Sequence, residues 1–253
     1  MSSRFIVTFR KAVHAFGSVL IPRYCPVCQR RLLDGEECLC ISCIHNLPRT
    51  NYRGAVGNPM ELQLSTLGPR FRRANSLMFY RRKSRFTHLI FSFKYNNQPQ
   101  VAVHMGRFMA IDLRNTDFFD DITCIVPVPI AKKRIRQRGY NQSEMLARGI
   151  AEVTHLPIIT TAVVRNHFHQ TQTRLNSDAR RKNVHDAFTL ADASLLEGQH
   201  VLLVDDVITY GHTMRACARE VLKAEDCRVS VLTLATAYVR YMTRRPRHIH
   251  PWD

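Results

Sequence analysis

An α/β fold, with a mostly parallel sheet flanked by helices and a small four-cysteine segment ahead of it, is predicted by three stretches of the 253-residue chain. In VLLVDDVITYGHTM, residues 201–214, the first four residues have the length and β-branched content of a strand buried on both faces, as parallel strands are. An acidic pair, a turn of small and hydroxyl residues and an amphipathic helix follow it. Residues 124–153 repeat the order of strand, loop and helix, and such alternation specifies a parallel sheet. Ahead of both, RYCPVCQRRLLDGEECLCISCIHNLP holds two C-x-x-C pairs. The expected organisation is an amphipathic N-terminal helix over 1–22, the four-cysteine segment over 23–50, a linker and helical hood or edge segment over 51–115, the α/β core over 116–240 and a basic tail over 241–253.

Phe5, Phe9, Val13, Phe16 and Leu20 recur at helical spacing beside Arg10, Lys11 and His14, giving a basic amphipathic helix that docks on the protein itself or lies on a membrane. Those charges interrupt a signal-peptide core, and no run of eighteen apolar residues exists to span a bilayer. Cytoplasmic residence is therefore expected, with the inner face of the cell membrane as a peripheral location. Five of the eight cysteines then fall in one short segment. Cys25 and Cys28 form one knuckle and Cys40 and Cys43 the other, supplying four thiolates for a tetrahedral metal. In a reducing compartment zinc explains them better than disulfides do, the alternative being buried or redox-active thiols without metal. Cys38 is the spare, able to replace Cys40 only with poorer spacing. A site closed by four thiolates keeps no open position, so its role is structural.

Residues 51–73 carry Gly and Pro and few periodic apolar positions, and read as a linker or irregular loop. A strand is expected over 77–80, and Phe86, Leu89, Ile90 and Phe93 mark a helix ending near Lys94. Lys94 and Tyr95 either face a ligand or are simply solvated. Asn96, Asn97 and Pro99 break the chain before a helix carrying Val101, Met105, Phe108 and Met109. The apolar run 124–129 is ended by its own prolines. Lys132, Lys133, Arg134, Arg136 and Arg138 then crowd a loop that Gly139 closes, and Asn141 with Glu144 resembles a capping box. The helix it opens presents Met145, Leu146, Ile150 and Val153. A third strand is expected over 158–164. The polar, basic stretch 165–188 exceeds a normal connection and reads as a flap or an exposed loop. Met214, Cys217, Ala218, Val221 and Leu222 form one buried face of a helix over 214–224, a strand follows over 229–235, and the tail is irregular.

Ligands of a parallel sheet sit beyond the carboxyl ends of its strands, which places Asp205 and Asp206 at the mouth of a site. Unpaired N–H groups at the start of the next helix favour an anion, and Gly211 lets the backbone approach it. A phosphate at one end and paired hydroxyls a few bonds away would satisfy both halves, as in ribose 5-phosphate. The cationic stretch 132–138 supplies counter-charge for a diphosphate. A formal net charge of +17 attracts polyanions such as nucleic acid or an anionic membrane surface.

VLLVDDVITYGHTM resembles the 5-phosphoribosyl 1-diphosphate motif of type I phosphoribosyltransferases. There the acidic pair holds the ribose hydroxyls and the loop holds the 5′-phosphate, although the position of Tyr210 is usually a small residue. With VPVPIAKKRIRQRGYNQSEMLA, QTRLNSDARRKNVHDAF and the double C-x-x-C, the chain from about Val19 to Ala237 is similar to the ComF family, phosphoribosyltransferase-like proteins with an N-terminal zinc-binding segment associated with DNA uptake in natural transformation. The resemblance implies a Rossmann-like type I phosphoribosyltransferase fold and magnesium bound with 5-phosphoribosyl 1-diphosphate. It also implies single-stranded DNA as a partner, and DNA-uptake proteins such as a competence helicase. Asp205 and Asp206 would be catalytic. Val207, Ile208, Thr209, Tyr210, Gly211, His212 and Thr213 would form the phosphate loop, and Lys133, Arg134 and Arg138 would neutralise diphosphate.

Two function classes compete. As a binding module, the pocket senses the sugar diphosphate while the zinc segment and basic surface hold DNA, with Phe71, Phe79, Tyr80 and Phe86 either stacking on bases or packing in the core. As a phosphoribosyltransferase of nucleobase or amine metabolism, the chain needs no nucleic acid.

Overall fold

The computed structural model describes residues 22–166 and 187–237. The expected N-terminal amphipathic helix, all but the ends of the 165–188 flap, and the basic tail lie outside the described residues.

In chain order the elements are α1 (Ile41–His45), α2 (Pro59–Leu64), β1 (Phe71–Tyr80), α3 (Thr87–Tyr95), α4 (Pro99–Leu113), β2 (Cys124–Pro127), α5 (Lys132–Arg138), α6 (Gln142–Thr154), β3 (Val163–Arg165), β4 (Phe188–Leu190), β5 (His200–Ile208), α7 (His212–Val221) and β6 (Arg228–Ala237). Four strands form a parallel sheet in the order β1-β6-β5-β2. β5 is interior, with Val201 opposite both Cys124 and Val229. Its alternating side chains feed two cores. Leu202 and Val204 join Leu89, Phe93, Met109, Leu146 and Ile150 on one face, while Val201 and Leu203 join Met60, Leu64, Phe188, Cys217 and Val221 on the other. Burial on both faces is what an unbroken apolar run requires. The helices that follow β2 and β5 pack on opposite faces, and this divergence opens a crevice at the two strand ends.

α4 and α6 cross at backbone contact. A Cβ on Gly106 would lie 2.1 Å from the Leu146 carbonyl oxygen, and one on Gly149 would lie 1.9 Å from that of Val103. No side chain fits there, so glycine on both helices sets the closeness of the layer covering the sheet.

Five expectations need correction. The stretch 51–73 is not a linker: Asn58 caps α2 through its side chain, and β1 starts at Phe71 and pairs with β6 along its length. The edge strand therefore comes from the 51–115 segment. Residues 132–138 form a helix, not a loop, closed by Gly139 in the left-handed region at φ 80°. Ile158 only bridges Ile125, and 163–165 pairs antiparallel with β4 in a separate two-stranded sheet. Asp205 and Asp206 belong to β5, which runs on to Ile208, instead of following it. The capping box is half formed: Asn141 accepts from the Ser143 N–H at 3.1 Å, while Glu144 pairs with Arg148 at 2.8 Å.

Phe86 is buried, and Phe71, Phe79 and Tyr80 are half-buried, Tyr80 against the sheet core and Phe79 edge-on to Tyr52.

Candidate functional site

The carboxyl ends of the parallel strands open into a cavity of about 1050 Å³. Its walls include Asp205, Asp206, Val207 and Thr213 from the motif, Lys94 and Tyr95 from the end of α3, Arg134 and Arg138 from α5, Gln142 from α6 and Arg165 from β3. A smaller recess of about 150 Å³ lies against the turn itself, lined by Val207, Ile208, Thr209, Gly211, His212 and Thr213, with Asp205 shared by both.

Strand alternation turns the two acids to different neighbours. Asp205 Oδ1 accepts from Ser143 Oγ at 2.8 Å and from the Asp206 N–H at 2.8 Å. Burial, and then the adjacent Asp206 charge, push its carboxyl up to about 7; Ser143, the Asp206 N–H and Lys94 pull against that rise. Asp206 is buried, and Lys94 Nζ lies 2.8 Å from its Oδ2. A carboxylate oxygen accepts more than one hydrogen bond, so the contact with Lys94 leaves Oδ2 room for a further donor. A ribose hydroxyl or a metal-bound water is a group able to supply one.

The turn is built to present N–H groups. Gly211 sits at φ 72°, a left-handed conformation that glycine adopts without a Cβ penalty, and caps the ten-residue helix α7. Gln63 Nε2 donates to Thr209 O at 2.8 Å, and Arg215 Nη2 donates to Tyr210 O at 2.6 Å, so outward-turned carbonyls are held from behind. Tyr210 is 71% exposed and lines neither cavity, which leaves the recess unobstructed at the position where a bulky residue departs from the motif.

Arg134 and Arg138 line the large cavity, but Lys133, expected beside them, is exposed on α5 and does not. The helix explains this: consecutive residues on α5 point about 100° apart, whereas a loop could have gathered all three. Two residues missed from the sequence shape the site, Arg165 in the cavity wall and Ser143 buried behind Asp205. Arg165 faces Asp205 and stacks over Phe188 with its guanidinium carbon 5.1 Å from the ring centre; desolvation and then Arg134 lower its pKa. Ser143 orients Asp205. Arg165 opened the stretch read as a flap or exposed loop, and Ser143 sat in one read as an ordinary helix start, so neither carried a signal of its own.

In the N-terminal segment, Cys25, Cys28, Cys40 and Cys43 bring their sulfurs within 4.8 Å of one another. Four thiolates at about 2.3 Å from a tetrahedral zinc would lie about 3.8 Å apart, and Cys28 and Cys40 are at 3.6 Å. The donor set and spacing fit a metal ion. The first knuckle is shaped by Gln29 at φ 60° and its N–H bond to Cys25 O; in the second, Cys40 caps α1 and Cys43 lies within it. Glu36 braces the two, accepting from the Leu33 and Ile41 N–H groups and from Arg30. Cys38 is outside the cluster, and burial pushes its thiol up to about 12. Glu37 reaches His104 at 2.8 Å and Arg107 at 3.4 Å on α4, which ties the segment to the core.

The phosphoribosyl transferase domain family matches residues 106–252. The DNA utilization protein YhgH of Escherichia coli is 27% identical over 213 residues, 83% of this chain and 88% of that protein. Competence protein F of Haemophilus influenzae is 26% identical over 221 residues, 84% of this chain and 96% of its own length. Competence protein ComFC of Bacillus subtilis is 30% identical over 117 residues, 44% of this chain and 43% of that protein. The family match covers more than half of the chain, and two of the relatives match more than four-fifths of it: this chain belongs to the phosphoribosyl transferase domain family and is a ComF-family phosphoribosyltransferase-like protein.

Proposed function

We propose that the chain binds 5-phosphoribosyl 1-diphosphate with magnesium at the carboxyl edge of its sheet and handles single-stranded DNA during DNA uptake, as a cytoplasmic protein. The observation that carries the first half is the acid pair, Asp206 buried against Lys94, lining one cavity with Arg134, Arg138 and Arg165. In this reading Asp205 and Asp206 accept from the two ribose hydroxyls. The N–H groups of the 207–213 turn and the α7 dipole hold the 5′-phosphate, and the arginines take the diphosphate. Magnesium, when bound, supplies further neutralisation of the diphosphate, a cation characteristically held by one or two carboxylates together with substrate phosphates. Zinc in the four-cysteine cluster keeps the N-terminal segment folded against α4. The printed names of the relatives, DNA utilization and competence proteins, together with the net charge of +17, support the second half. A partner among the DNA-uptake proteins, such as a competence helicase, fits the same role.

Titration calorimetry of Asp205→Asn and Asp206→Asn with magnesium and 5-phosphoribosyl 1-diphosphate tests the ribose assignment. Each loses a charge-assisted pair, so affinity falls roughly ten- to a hundredfold with the fold retained. Affinity equal to that of the unaltered protein removes the assignment.

The size of the cavity favours a second reading, phosphoribosyl transfer, because a space of about 1050 Å³ admits an acceptor beside the sugar diphosphate. The bond from the anomeric carbon to diphosphate would break, a bond to an acceptor nitrogen would form, and that nitrogen's proton would leave. Pyrophosphate release across a panel of nucleobases and amines separates turnover from binding alone.

A further inference from the structure

A separate cavity of about 240 Å³ lies between β1, the end of α4 and residues 49–53, and shares no residue with the spaces beyond the carboxyl ends of the strands. The backbone makes it. The Phe79 N–H donates to Pro48 O at 2.7 Å and the Thr50 N–H donates to Leu77 O at 3.1 Å, so residues 48–50 strap the outer edge of β1. Asn51, left-handed at φ 58°, then turns the chain off that edge, and the space opens beside it. Asn75 and Leu77 line it from β1, two residues apart and therefore on one side of the strand. Asn75 is only 4% exposed, yet its side-chain amide has no hydrogen-bond partner among the described residues. Arg49 enters in a fixed pose, one Nη 2.7 Å from Asp112 Oδ1 and the guanidinium carbon 5.0 Å from the centre of the Phe108 ring, which leaves its other N–H groups free to serve the cavity. Arg53, exposed at the rim, has no carboxylate partner among the described residues. Two guanidiniums against one carboxylate leave a single positive charge. Water can fill any such space; the charge and the unanswered amide are what select an occupant here.

We propose that this cavity is a binding site for a small hydroxycarboxylate, with Arg49 and Arg53 taking the carboxylate and the Asn75 amide meeting the hydroxyl. A guanidinium presents paired N–H groups that match the two oxygens of a carboxylate. One negative charge balances the pocket, whereas a phosphate dianion would exceed it and face Asp112. A cation would be repelled by both arginines. The amide both donates and accepts, so its Oδ1 asks for a donor that a bare carboxylate lacks and a hydroxyl supplies. The volume equals that of roughly eight liquid waters, which restricts the acid to a few carbons.

The test titrates the isotopically labelled full chain with lactate at constant ionic strength and follows the side-chain amide signal of Asn75 by nuclear magnetic resonance. Lactate shifts that signal to saturation. Propionate, which lacks the hydroxyl, binds roughly tenfold more weakly, because the amide Oδ1 is then left unanswered. Lactamide, without the charge, and inorganic phosphate do not saturate it. Arg53→Gln weakens lactate roughly tenfold through the loss of a charge-assisted contact, and the exposure of Arg53 keeps the fold out of question. Asn75→Ala, read through the backbone signal of Leu77, erases the preference for lactate over propionate; if that variant does not fold, Arg53→Gln alone decides. An excess of 5-phosphoribosyl 1-diphosphate with magnesium leaves the lactate shift in place. The proposal is overturned by a signal that does not saturate, by phosphate or propionate binding as tightly as lactate, by an affinity unchanged in Arg53→Gln, or by displacement of lactate by the sugar diphosphate, which would move the bound acid to the other cavity.

Discussion

The carboxyl of Asp205 is held up to about 7 by burial and by the charge of Asp206. A proton retained in the fold but bound less tightly by the unfolded chain adds stability below the ordinary carboxyl value of about 4, and that contribution is lost as pH rises towards 7. Ligand binding runs the other way. A ribose hydroxyl needs a carboxylate as acceptor, so binding expels the proton, and affinity for 5-phosphoribosyl 1-diphosphate rises between pH 6 and pH 8. Ser143→Ala deletes a donor to Asp205 Oδ1 and so moves the midpoint of that rise to higher pH. Calorimetry in buffers of different ionisation enthalpy reads the proton release directly. A midpoint that stays put in Ser143→Ala would show that the hydroxyl does not tune the acid. Ser143 acts here as a positioning residue, through Asp205.

The elements divide into those that their own residues announce and those that need the tertiary context. Strand β5, helix α7 and the two knuckles follow from local periodicity and fixed spacing, so 201–204 and the four cysteines could be read directly. Helix α5 could not: LysLysArgIleArgGlnArg has one apolar residue and no buried face, and only the Gly139 stop hinted at it. The continuation of β5 through two acids was equally hidden, because charged residues normally end a buried strand and here a cavity takes their place. Edge strand β1 was read as four residues because its first half is polar; pairing with β6 extends it. The knuckle segment makes a prediction of its own. Val27, Leu32, Leu39 and Leu47 pack into the same core as Phe93 and Met109, so metal removal loosens more than a surface loop. Chelation lowers the melting temperature by roughly 5–10 °C, equivalent to about 2–3 kcal/mol for a chain of this size. Cys28→Ser loses the bound zinc measured by atomic absorption, and Cys38→Ser keeps it. Equal zinc content in the two variants would show that the cluster is not the ligand set.

For the whole molecule, parallel topology gathers what the sequence scatters. β1 and β2 are the two outer strands, and both end at the same edge of the sheet as β5. The exposed residues Arg81, Arg82, Lys83 and Arg85 follow β1, and exposed Lys132, Lys133 and Arg136 follow β2, so basic segments flank the acid pair on either side. Lys133 finds its place here, outside the cavity wall and on its rim. A strand crossing that rim would displace counterions in proportion to the phosphates it pairs. With about five contacts at 0.7 per phosphate, the logarithm of the binding constant falls with the logarithm of salt at a slope of about −3.5. Replacing Arg81, Arg82 and Lys83 together by Gln flattens the slope by about 2. Anisotropy titrations with oligothymidine from 50 to 300 mM salt measure both slopes. A slope near zero for the unaltered protein would refute the polyanion surface, and an unaltered slope in the triple variant would move that surface away from the end of β1.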